Sequence, residues 1–173
     1  LVWRIALCVP SHLCDIVIYN GGDPTDAFLA HSRMDKYLMG DRKETIYFDG
    51  KADAFMTLLN DTYASIIERM ATIRSAGKRD LVELNESLGI EARLKYQFFI
   101  LADFPGYLKM EAANRLAQIM EVGGKAGVYV LMSFDMNAEF VDANTTENFN
   151  PARLLANMQL LVPNGGGFSF RNS

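Results

Sequence analysis

The chain is 173 residues long, the size of about one ordinary domain. Half of its residues are hydrophobic and 22% are charged, a balance that excludes a disordered tail, a collagen-like repeat and a small disulfide scaffold. With 21 acids against 17 bases the formal charge is −4, which argues against a dedicated basic nucleic-acid clamp but not against contact through one loop or an assembled ring.

Residues 1–9 are almost wholly apolar and stop at Pro10-Ser11, the pattern of the last turns of a buried helix. Cys8 and Cys14 have no accompanying His pair and fall short of the roughly four ligands zinc needs, so they read as buried free thiols. Asp15–Tyr19 is a run of β-branched and aromatic residues closed by Asn20-Gly-Gly-Asp-Pro24, a buried strand and its turn. Residues 25–44 are mixed and polar, and read as short helical turns and loop. Thr45–Asp49 is a second strand, closed by Gly50.

From Asp53 the period changes. Phe55, Leu58, Leu59, Thr62, Ile66, Met70 and Ile73 recur at threes and fours, which predicts an amphipathic helix of about six turns. Gly77, just after Arg74, is placed to stop it, and Leu81–Leu84 reads as a further short helix. Tyr96–Asp103 is a continuous apolar run ending in an acid, predicting a strand buried on both faces in the middle of a parallel sheet. Residues 109–122 form a second amphipathic helix, ended by Gly123 and Gly124, and Gly127–Ser133 is another buried strand. After a polar stretch at 137–150, Pro151 opens a helix through about Asn157. Met158–Val162 and Gly167–Phe170 make a last pair of short strands. Strands alternating with helices predict an α/β domain with a mostly parallel sheet, and no repeat or linker divides residues 1–173. No apolar run reaches the roughly 18–20 residues of a spanning helix.

Asp103 is the strongest local candidate for chemistry. It ends a buried strand, where ligands of open α/β sheets bind and where a carboxylate holds magnesium or orients a water. The plainer reading is a cap for the following turn. No Gly-x-x-x-x-Gly-Lys-Ser/Thr phosphate loop occurs. Gly123-Gly-Lys125 follows a helix and has Ala126 in the place of the hydroxyl, and Gly165-Gly-Gly167 reads as a turn before Phe168. There is neither a Gly-x-Ser-x-Gly elbow nor a zincin motif, and two histidines, His12 and His31, offer little material for a triad. Arg74, Lys78 and Arg79 read as a solvated helix end. Phe98, Phe99 and Tyr129 read as core rather than a base-stacking platform, and the nine methionines as core filling.

Three segments in this order resemble the motor core of FtsK/SpoIIIE-like DNA translocases, within the HerA–FtsK group of P-loop ring ATPases. Ile66–Asn85 is similar to a family helix and its following turn through Arg69, Gly77, Arg79, Leu81 and Asn85. Phe98–Phe104 is similar to the Walker B strand, and Leu116–Ser133 to the helix and strand that carry the polar sensor. The resemblance covers roughly residues 1–160 and implies an α/β, RecA-like three-layer domain with a mostly parallel central sheet, here lacking the P-loop strand and loop. On it, Asp15–Tyr19 is the strand after the P-loop helix, and residues 1–9 are the end of that helix. Together with Leu1 as first residue, this leads us to expect a fragment of a larger chain.

The departures from the family pattern are specific. Ala102 stands in the magnesium-ligand position, Asp103 in the position of the catalytic Glu, and Phe134-Asp135 replaces the sensor Thr-Gln, with Asp135 the acid at that position. A methyl group offers magnesium no oxygen, and without the phosphate cradle the β- and γ-phosphates lack their main counter-charge. A one-residue shift of the strand end would instead make Asp103 the magnesium ligand. The resemblance implies ATP and Mg as cofactors of the intact family and none for this chain alone. It also implies a homo-oligomeric ring, a cytoplasmic location with a membrane tether left open, and a cargo of either DNA or protein, because relatives in the group serve type VII secretion. Two other readings stand beside it: a non-enzymatic protein-interaction domain on the ATPase fold, and an unrelated α/β enzyme with its site at Asp103, which requires further polar groups near that strand end.

Overall fold

The computed structural model describes residues 4–5, 8–20, 46–48, 52–105, 108–134 and 151–172. Strands β1 (Cys14–Asn20), β2 (Ile46–Phe48), β3 (Tyr96–Phe104) and β4 (Val128–Phe134) form one parallel sheet in the order β2-β1-β3-β4. Parallel neighbours need a crossover between them. Helix α1 (Ala52–Ser75) lies between β2 and β3 in the chain, and helix α3 (Met110–Gly123) connects β3 to β4. The expected α/β class and parallel sheet are therefore present. The stretch 25–44 lies outside the described residues.

The long-helix periodicity is realised as predicted. Phe55, Leu59, Thr62, Ile66 and Ile73 are the buried residues of α1, and Ala112, Ala113, Leu116, Ala117 and Ile119 are buried along α3. The alanines of α3 are small enough to let the two helices close on each other over one face of the sheet. Val17, Tyr19, Phe99, Leu101, Phe104 and Val128 meet them there. The Phe55 ring sits 4.6 Å from that of Tyr19 and edge-on to Phe99 at 6.4 Å. Each fully buried side chain of this size contributes about 1.5–3 kcal/mol. Met56, Met70, Met120, Met132 and Met158 pack against this core, as expected of the methionines.

Helix α1 ends in a glycine motif: Gly77 has φ +67°, its N–H donates to the Arg74 carbonyl, and the Lys78 N–H donates to that of Ile73. Helix α2 (Leu81–Ser87) begins at Asp80, whose carboxylate accepts from the Glu83 N–H at 3.0 Å, while Glu83 accepts from the Arg79 N–H at 2.9 Å. Leu81 and Leu84 join Ile73, Leu94 and Tyr96 in a satellite cluster. Helix α4 (Pro151–Leu155) sends Leu154 into the main core and fixes Arg153 on Glu121 of α3 through two hydrogen bonds, the longer 2.9 Å. Strands β5 (Gln159–Asn164) and β6 (Gly167–Asn172) then form an antiparallel ribbon around Gly165-Gly166, both at positive φ, a turn whose twist matches that of the strands it joins.

Three expectations are corrected. Cys14 is buried, but Cys8 is exposed. Residues 4, 5 and 8 are helical, yet Arg4 is exposed too, so this turn is not buried all round. β3 is deeply buried only on the helix-covered face. On the other face Phe98 stacks on Tyr129 with centroids 5.6 Å apart, and Tyr129 of β4 keeps 38% of its surface exposed. The reason is architectural: α1 and α3 both pack on the opposite face, and among the described residues β4 pairs with β3 alone. No helix among the described residues is long and apolar enough to cross a membrane.

Candidate functional site

Strand β1 pairs with β2 on one side and β3 on the other, so the chain reverses its direction of travel across the sheet between β1 and β3. Side chains and helix N-termini converge on a crevice beyond the carboxyl ends of two such strands. Here those ends bring together Asn20 of β1 and Ala102 of β3, which are register partners. The next residue, Asp103, is therefore on the interior strand and at its carboxyl end, beside the end of β4. This is the placement that its position in the sequence predicts.

The backbone at Asp103 is irregular. Leu101 pairs with Met132 and Phe104 with Phe134, so Ala102 and Asp103 together face the single residue Ser133. This is a β-bulge, a feature enriched beside binding and catalytic sites because it re-aims the residues that follow. Strict alternation would give the core place after Leu101 to residue 103. Instead Leu101 and Phe104, three apart, both sit in the core, 2% and 1% exposed. Phenylalanine fills a position where an unpaired carboxylate would cost several kcal/mol. The side-chain placement of Asp103 lies outside the described atoms, and Asp135 lies outside the described residues altogether.

Two helix N-termini reach the same rim. Asp53, in the first turn of α1, and Lys109, the residue before α3, are 3.5 Å apart and largely exposed. An acid in a first turn complements the helix dipole and a lysine there opposes it; the pairing offsets the second effect at Lys109. Asn20 is 6% exposed and is the residue of this rim that the sequence reading passed over as part of a turn. Its one signal in the sequence was a carboxamide at the end of an apolar run.

The described residues of the rim do not fit a magnesium nucleotide. Magnesium takes oxygen ligands, usually one or two carboxylates. Among the described side chains Ala102 contributes a methyl group, Asn20 a neutral amide, and Asp53 a single carboxylate that is paired with Lys109. No group of three His, Cys, Asp or Glu among the described residues is close enough to hold a metal ion.

The residues that carry the family resemblance in Ile66–Asn85 lie at the opposite, amino end of the sheet, and each has a structural task. Half-buried Arg69 donates to the Lys95 carbonyl at 2.8 Å and to that of Ala126 at 3.3 Å, tying the start of β3 to the turn before β4. Burial lowers its pKa, and the charge of Asp15 opposes that. Buried Asn85 donates from Nδ2 to the Leu94 carbonyl and accepts the Leu94 N–H on Oδ1, both at 2.9 Å, so one side chain closes the loop that leads into β3. Exposed Arg79 is paired with Glu83, in keeping with a solvated helix end. Gly127, at φ +77°, leaves no room for a side chain: an added Cβ would lie 2.2 Å from Leu81 Cδ2 and 3.1 Å from Tyr96 Cδ1.

No family model matches the chain, and no curated protein matches it. Among solved structures it is similar to EssC (ATPases 2 and 3) from Geobacillus thermodenitrificans, with a TM-score of 0.64 and 10% identity over 99% of this chain. The chain spans about a third of that protein's length, 35%. A second similar structure is the pCW3 conjugation coupling protein TcpA, in monomer form with ATPγS, with a TM-score of 0.46 and 13% identity over 68% of this chain and 34% of the other. The likeness to EssC is one of fold, and it agrees with the RecA-like α/β class expected from the sequence.

Proposed function

We propose that the chain is a module of an ATP-driven FtsK/SpoIIIE-like translocase motor, serving ring assembly and force transmission and not hydrolysing ATP by itself. The observation that carries this reading is the parallel order β2-β1-β3-β4, with Asp103 ending the interior strand β3 next to β4. Fold likeness to EssC over nearly the whole chain supports it. The non-hydrolytic part of the reading rests on Ala102 at the metal-ligand position, where a methyl group offers magnesium no oxygen. The register irregularity between Leu101 and Phe104 is compatible with the alternative role for Asp103, in which a one-residue shift of the strand end makes it the magnesium ligand. The cargo on this reading is either DNA, in chromosome segregation or cell division, or a protein.

The test is ATP turnover with magnesium, measured for the full-length protein and for its Asp103→Ala variant. Turnover that falls at least tenfold in the variant puts Asp103 in a working site of the motor and overturns the non-hydrolytic role of this module. Turnover that is unchanged removes Asp103 from that site.

A second reading is a pseudo-ATPase protein-interaction domain, for example in a type VII secretion-like motor. The rim that does not fit magnesium favours it, as does fold likeness to a protein whose name records more than one ATPase unit per chain. On this reading neither the full-length protein nor the 173-residue chain should shift its melting temperature with magnesium-ATP. A shift of several degrees in the full-length protein that is lost in Asp103→Ala overturns this second reading.

A further inference from the structure

No further inference is drawn: the strongest candidate, the half-exposed apolar face of β3 and β4 around Phe98, Tyr129 and Leu131, is an unpartnered sheet face, and nothing among the described residues shows what covers it.

Discussion

Gly77 and Gly127 both have positive φ, +67° and +77°, and both belong to the segments that resemble the translocase core, yet replacing them by alanine is expected to have unequal effects. At Gly77 an added Cβ meets nothing within 4 Å. The cost of Gly77→Ala is then the left-handed backbone alone, about 1 kcal/mol. At Gly127 the same backbone cost applies, and the new methyl lands 2.2 Å from Leu81 Cδ2 and 3.1 Å from Tyr96 Cδ1. Leu81 is fully buried against Ile73 and Leu84, so it has little room to turn aside, and overpacking adds about 1–3 kcal/mol. Gly127→Ala should therefore cost about 2–4 kcal/mol. For a chain of this length 1 kcal/mol moves the melting temperature by about 2–4 °C, so the roughly 1–3 kcal/mol of overpacking should separate the two variants by about 2–12 °C. Urea unfolding followed by circular dichroism measures the same difference as a lower midpoint at unchanged slope. Equal losses in the two variants would refute the packing argument and the close approach of α2 to the start of β4.

The remaining predictions concern the amino-end clamps and acid stability. Arg69→Ala removes two hydrogen bonds from one charged nitrogen, Nη1, and should cost about 2–4 kcal/mol; Arg69→Lys, whose ammonium can also donate twice, should recover part of that in urea unfolding. Asn85→Asp sets a carboxylate oxygen against the Leu94 carbonyl, so it should destabilise at neutral pH at least as much as Asn85→Ala, about 1–3 kcal/mol, and by less once the pH is low enough to protonate it. Glu83 and Glu121 have pKa values lowered chiefly by hydrogen bonds from Arg79 and Arg153. A folded-state pKa below the unfolded one stabilises at pH values above the unfolded pKa, and that contribution is lost as pH falls through the folded value. Stability should thus be insensitive to these groups near neutrality and decline in the acid range below the usual glutamate pKa. The double variant Glu83→Gln/Glu121→Gln should show a shallower acid decline, read from melting temperature against pH; an unchanged slope would remove both pairs from the account.

Much of the fold was legible because burial imposes a period. The recurrence from Phe55 to Ile73 places α1 within a residue or two of Ala52–Ser75, and the unbroken apolar run ending at Asp103 marks β3 as the interior strand. What was not legible depends on neighbours rather than on the segment itself. Gly127–Ser133 reads as buried because its composition is that of a covered strand, but Tyr129 stays 38% exposed because both long helices pack on the other face. Cys8 reads as buried because its neighbours are apolar, although only one side of a surface helix need be covered. The bulge at Ala102-Asp103 left only a faint trace, a core Phe three residues after a core Leu, and pairing register is a property of two strands at once. Asn20 was missed for the same reason: what marks it is its alignment with Ala102 across the sheet.

The two ends of the sheet carry different parts of the family resemblance. At the amino end lie Arg69, Gly77, Asn85 and Gly127, and each meets a geometric demand: one guanidinium nitrogen donating to two carbonyls, a helix stop, a loop closure, a turn with no room for Cβ. These demands exist whatever the domain binds, because they hold β3 and β4 in register. At the carboxyl end the resemblance puts Ala102 at the magnesium-ligand position and Phe134 at the sensor, and neither side chain offers magnesium-nucleotide chemistry an oxygen. Loss of the catalytic groups alone does not unfold a domain, whereas loss of a buried clamp costs a sizeable part of its roughly 5–15 kcal/mol of stability. A chain that keeps the clamps and changes the rim keeps its shape whatever becomes of the chemistry at the rim. This contrast is what motivates the proposal that the module serves assembly and force transmission.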